Sequence, residues 1–156
     1  MEPALPQATA RAIDNTPAYP LPPRLLGAIV LIAAAAWLGV ALSLTPDARG
    51  LGTHQQLGLA ACGFHEHTGH PCPTCGMTTA FTLAAHGRLL DALVTQPLAA
   101  LLALAVAMAA VAGAWAAATG AWLGPAFYAL GQARFWWIIA ALTLAAWLYK
   151  LMGAPV

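Results

Sequence analysis

"LAALLALAVAMAAVAGAWAAAT", residues 98–119, is twenty-two residues long and holds no charged side chain. At about 1.5 Å per residue, a helix of this length crosses a hydrocarbon core of about 30 Å. Gln96-Pro97 precedes it, and proline suits a first helical turn because its missing N–H would find no partner there. Gly120 closes it. Working outward, residues 25–44 form a second such run, twenty apolar or small residues ending at Thr45-Pro46-Asp47. A third run, 135–149, is fifteen residues; it reaches 152 if Lys150 snorkels toward the interface and Leu151-Met152 extend the helix.

Composition says the same. The chain has 156 residues, 61% of them hydrophobic and only 7% charged, against roughly 25% charged in soluble domains. Six basic and five acidic side chains could not cover a soluble surface of this size. Lipid is therefore the expected solvent for much of the chain. A net charge of +1 gives no electrostatic case for nucleic acid. Tryptophan and the other aromatics fall mostly near the ends of apolar runs, as interfacial belts do. The acidic residues beyond the N-terminal tail are Asp47, Glu66 and Asp91, and none sits inside a run. An ion-coupled transporter needs such a group at membrane depth, so that class ranks last.

The expected fold is all-α: an integral membrane protein with three transmembrane helices and a short re-entrant or interfacial half-helix. The half-helix is 77–85, nine apolar or small residues closed by His86-Gly87-Arg88 and too short to span. Backbone at such depth survives where it is buried in protein. Residues 89–96 read as a short amphipathic connection. Residues 1–24, rich in proline and without an apolar run, are expected to be disordered. They lack the charged start and short apolar core of a cleavable signal. The membrane domain is then 25–156, with spans at 25–44, 98–119 and 135–152 and a Cys/His loop plus half-helix at 53–96. Gly27, Ala34, Ala103, Ala107 and Gly113 would let helices approach closely, within the chain or against other membrane helices. Arg11, Arg24 and Arg134 balance Arg49, Arg88 and Lys150 across the expected topology. The weight of the first helix tips the N-terminus to the cytoplasm and the Cys/His loop to the outside.

The chemistry is concentrated in "CGFHEHTGHPCPTC", residues 62–75, which hold all three cysteines and three of the five histidines. As a metal knuckle, Cys72-Pro73-Thr74-Cys75-Gly76 makes a tight turn whose thiolates face one ion, with glycine permitting the closing conformation. Cys62 and one of His65, His67 or His70 would complete a four-coordinate site for zinc or iron. As a redox pair, Cys72 stands at an N-cap with Pro73 at the first helical position, and the helix dipole lowers its pKa. Cys75 is then the resolving thiol. No alternation of strands and helices of the thioredoxin kind surrounds the pair. In a third reading the loop holds one structural disulfide, or no chemistry at all. Glycine directly after Cys75 suits a knuckle better than a helix already running. Thr78, Thr79 and Thr82 are expected to bond back to helix carbonyls.

The stretch from Pro71 onward resembles an uncharacterised family of small bacterial membrane proteins, a domain of unknown function. Its signature is Cys-Pro-x-Cys-Gly-x-Thr-Arg-Ala, then an apolar half-helix, a glycine turn, and Asn-Pro opening a long helix. Cys72, Pro73, Cys75, Gly76, Thr78, Ala80, Gly87 and Pro97 match it, and Cys62-Gly63-Phe64 resembles an upstream Cys-Pro-Phe. Thr79 stands in place of arginine and Gln96 in place of asparagine, so no anion-binding role follows from that arginine. The resemblance, over about residues 58–120, implies a multi-pass protein of the bacterial inner membrane with the lipid bilayer as its partner. It implies no activity.

Overall fold

The computed structural model describes residues 21–152, and every regular element among them is helical. They are α1 (Pro23–Ser43), α2 (Gly63–Thr68), α3 (Met77–Ala85), α4 (Leu89–Thr95), α5 (Pro97–Thr119), α6 (Gly124–Leu130) and α7 (Ala133–Leu151), with a 3₁₀ turn at Thr53–Leu57. Two of them, α1 and α5, are long and apolar enough to cross a membrane. A third candidate exists if α6 and α7, which meet at a bend of 63°, count as one span.

Both long helices begin on a proline in the first turn. α1 stops ahead of Pro46, whose ring disfavours helical backbone in the preceding residue. α5 stops at Gly120, left-handed at φ +79°, where the Gly120 N–H bonds the Ala116 carbonyl at 2.8 Å. Pro23 and Arg24 belong to α1, so the expected tail ends earlier than placed; the rest of that expectation, residues 1–20, lies outside the described residues.

α1 and α5 pack antiparallel through small residues. A Cβ on Gly27 would lie 2.5 Å from the Ala117 nitrogen, and one on Gly113 would lie 2.7 Å from the Leu31 nitrogen. Ala34, Ala41, Ala103 and Ala116 are buried along the same seam. In lipid no hydrophobic force drives such helices together, so backbone approach and dispersion contacts carry the association. The stripe read from the sequence is therefore used within the chain.

Near Ala41 and Ala103 the seam opens to admit α3. Phe81 packs with both alanines, beside Leu38, Leu102 and Val106. Ala80, Leu83, Ala92, Ala99 and Ala100 form a second cluster that holds α3 and α4 against the start of α5. Nine residues carry α3 about 13 Å along the pair. Gly87 at φ +78° then reverses the chain. Thr95 returns to the level where α3 started: its Cγ2 lies 3.5 Å from where a Cβ on Gly76 would stand. The half-helix thus has the bounds expected of it, and the connection after it is itself helical.

α7 reaches the same end of the molecule. Trp147 Nε1 donates to the Pro71 carbonyl at 2.9 Å, and Lys150 Nζ donates to the Cys75 carbonyl. Lys150 is only 3% exposed. The helix runs on to Leu151 without the snorkelling invoked for that extension: the ammonium turns inward, to the Cys75 carbonyl.

Candidate metal centre

The loop that carries the thiols is shaped by one glycine. Gly76 has φ +75°, and a Cβ there would lie 2.6 Å from the Gly50 carbonyl oxygen, so a side chain is excluded on both grounds. Ahead of it the chain turns tightly: Cys75 N–H donates to the Cys72 carbonyl at 3.0 Å and Met77 N–H to Thr74 at 3.1 Å. The helix proper begins only at Met77, with Gly76 as its N-cap. Cys72 is therefore not an N-cap, and the dipole argument for its acidity does not apply. Glycine closes the turn between the two cysteines and α3.

Cys62 arrives from the other side as the N-cap residue of α2. The three Sγ atoms of Cys62, Cys72 and Cys75 all lie within 4.8 Å of one another, and Cys72 and Cys75 are 3.3 Å apart. None is bridged. A tetrahedral ion with metal–sulfur bonds of about 2.3 Å sets sulfur–sulfur edges of about 3.8 Å. The triad is close enough to bind a metal.

The two motif thiols differ in acidity. At Cys72 burial pushes the value up, but hydrogen bonds from the Thr74 hydroxyl (3.4 Å), Cys75 and Cys62 outweigh it and bring the thiol down to about 7. At Cys75 burial and the bond shared with Cys72 act together and push it up to about 12.

The histidines separate. His65 is half-buried, lines the same cavity as the three thiols, and has an Nδ1 that is buried without a hydrogen-bond partner. His67 and His70 are exposed and stand outside the triad. The cavity, about 1030 Å³, has Trp37, Val40 and Phe81 among its apolar walls. Pro73 lies in the turn and Thr78 in the first turn of α3, where it also borders the cavity.

Other residues hold the loop in roles that the sequence did not suggest. Gln96, fully buried, donates from Nε2 to the Pro73 carbonyl at 3.1 Å. With Trp147 on Pro71 and Lys150 on Cys75, three loop carbonyls are tied by side chains from other elements. Thr53 and Thr79 share a buried hydroxyl contact at 2.8 Å, and Thr53 also accepts from the Asp47 N–H at 3.0 Å. The expected bonds from the α3 threonines back to helix carbonyls are thus not the ones made: Thr79 reaches Thr53 instead, and Thr82 Oγ1 is buried without a partner. A lone cation at the end of an apolar run was the available signal for Lys150, and a polar amide immediately before a span was the signal for Gln96.

Residues 62–110 match the model of a family described as protein of unknown function, DUF2752. The match starts at Cys62 and covers the thiol loop, the α3–α4 hairpin and the first part of α5. No curated protein and no solved structure matches the chain.

Proposed function

We propose that this is a three-span protein of the bacterial inner membrane whose extracytoplasmic loop holds a zinc or iron ion on Cys62, Cys72 and Cys75. His65 supplies the fourth donor. The observation that carries this reading is the convergence of three sulfurs, from two separate segments, within 4.8 Å. The buried, partnerless Nδ1 of His65 beside them supports the choice of histidine, since such an atom costs free energy unless something bonds it. His67 and His70, both exposed, serve only if the loop rearranges. Pro73 and Gly76 shape the knuckle, and α6 with α7 forms the bent third span.

A second reading, a membrane thiol–disulfide couple, is favoured by one specific observation: Cys72 and Cys75 are 3.3 Å apart with strongly divided acidities. An acidic attacking thiol beside a buried resolving thiol is the arrangement such exchange uses.

Metal analysis and a thiol count on the protein purified from its native membrane separate the two. The metal reading expects near-stoichiometric zinc or iron with all thiols reduced, lost in Cys72→Ser or Cys75→Ser and weakened in Cys62→Ser. The redox reading expects no metal and one free thiol that becomes three on reduction. Three free thiols with no metal defeat both.

A further inference from the structure

Lys150 is a cation enclosed by protein. It is 3% exposed and donates to the Cys75 carbonyl. Among the described residues the ion pairs are Arg49–Asp47 and Arg88–Asp91, so no carboxylate neutralises it. A carbonyl satisfies one N–H but brings no charge. An ammonium buried at the end of a membrane helix is costly unless an anion offsets it, and such groups mark functional sites. The group it holds is Cys75 itself, whose sulfur lies 3.3 Å from that of Cys72. A Cβ on Gly76 would lie 2.7 Å from its Nζ, so the residue that closes the knuckle also makes room for the ammonium.

Charge counting then restricts what the thiols hold. Three thiolates and a divalent ion, with a neutral imidazole as fourth ligand, carry a net charge of −1. Lys150 brings the assembly to zero. A univalent ion on the same ligands would leave −2 against +1. A disulfide between two of the cysteines would leave one thiol at most to face the ammonium.

We propose that Lys150 is the counter-charge of the sulfur centre, through which α7 selects a divalent ion bound by three thiolates and one neutral donor. The inference rests on the metal reading above. Lys150 touches neither the ion nor a ligand sulfur in this scheme; it acts as a positioning residue through the field it applies.

The test uses the full chain in detergent, with cobalt(II) and zinc(II) affinities measured by competition against a chelator. Lys150→Gln keeps an N–H donor for the Cys75 carbonyl and removes the charge, whereas Lys150→Arg keeps both. We expect Gln to weaken zinc binding about 10- to 100-fold, the range typical of residues just outside a metal's ligand set, and Arg to stay close to wild type. A second arm repeats Lys150→Gln in a Cys62→His background. There one thiolate is gone, a divalent centre is already neutral, and the Gln substitution should cost nothing. A merely structural role for Lys150 predicts the same loss in both backgrounds. Equal affinities for wild type, Gln and Arg, or equal losses with Gln and Arg, overturn the proposal while leaving the metal site intact. A wild-type chain that binds no divalent ion overturns the metal reading itself.

Discussion

Thr53 Oγ1 and Thr79 Oγ1 lie 2.8 Å apart, both side chains fully enclosed, and join the 3₁₀ turn to the half-helix α3. This contact fixes the loop that follows α1 to the base of the thiol knuckle. Thr53 also accepts from the Asp47 N–H, so one hydroxyl serves two segments.

Replacing Thr53 by valine strands the Thr79 hydroxyl in a closed site, and replacing Thr79 leaves the Thr53 hydroxyl with the Asp47 N–H as its one remaining partner. The expected loss is about 1–3 kcal/mol for each single change. Thr53→Val leaves the Asp47 N–H without its acceptor as well and should be the worse of the two. The double Val variant should recover part of the Thr53→Val loss, because the Thr79 hydroxyl stranded by that change is then gone. Reversible unfolding in mixed micelles measures all three, and additive losses in the double variant would refute the pairing.

Gly27 and Gly113 set the spacing of α1 and α5. A methyl at Gly113 would meet the Leu31 backbone nitrogen at 2.7 Å and the Gly27 carbonyl at 2.9 Å, neither of which can move aside alone. Gly113→Ala and Gly27→Ala should each cost about 1–3 kcal/mol through forced helix separation. Gly39→Ala is the control, since nothing lies within 4 Å of the added carbon. Thermal stability in detergent should therefore fall for the first two and hold for the third. Equal behaviour of all three would place the seam elsewhere.

Much of this architecture was legible in the chain. Long apolar runs between prolines and glycines announce α1 and α5 within a residue or two, because length against bilayer thickness is a strong constraint. Met77–Ala85 was also readable, bounded by Gly76 and by His86-Gly87. Side-chain direction was not. Lys150 at the end of an apolar run can swing outward to the interface or inward to a carbonyl, and only the packing of α7 on the thiol loop decides between them. The α3 threonines posed the same ambiguity: a hydroxyl that can bond its own helix bonds a neighbour when one arrives, as Thr53 does for Thr79. The convergence of Cys62 with Cys72 and Cys75 depends on α2 folding back, which no local pattern encodes.

The α3–α4 hairpin enters and leaves at one level, with Gly76 beside Thr95. Single cysteines introduced at Ala48 and Asp91, in a chain whose native cysteines are blocked or replaced, should thus react with an impermeant maleimide from the same side of the membrane. Labelling from opposite faces would mean that the segment between them crosses. An export-dependent reporter fused after Arg49 should be active, and one after Ala121 inactive, if the thiol loop is extracytoplasmic.

The divided acidities of Cys72 and Cys75 give a pH dependence whose direction is set. The thiolate is the species that alkylates, so each cysteine's rate follows its own ionisation. Cys72 is lowered to about 7 by the hydroxyl and thiols around it, against the burial that opposes them, and ionises as pH rises through that value. In protein stripped of metal, its modification should climb between about pH 6 and pH 8 and then level off, well below the range of an ordinary thiol. Cys75, raised to about 12 by burial and by the bond it shares with Cys72, should stay unmodified across the same interval. Removing the Thr74 hydroxyl, 3.4 Å from the Cys72 sulfur, takes away one source of the lowering. Thr74→Val should therefore shift the Cys72 profile to higher pH and leave Cys75 unreactive. Site-resolved mass spectrometry of iodoacetamide adducts reads both positions at once. Identical profiles for the two cysteines would mean that the hydrogen bonds around Cys72 do not bias the pair.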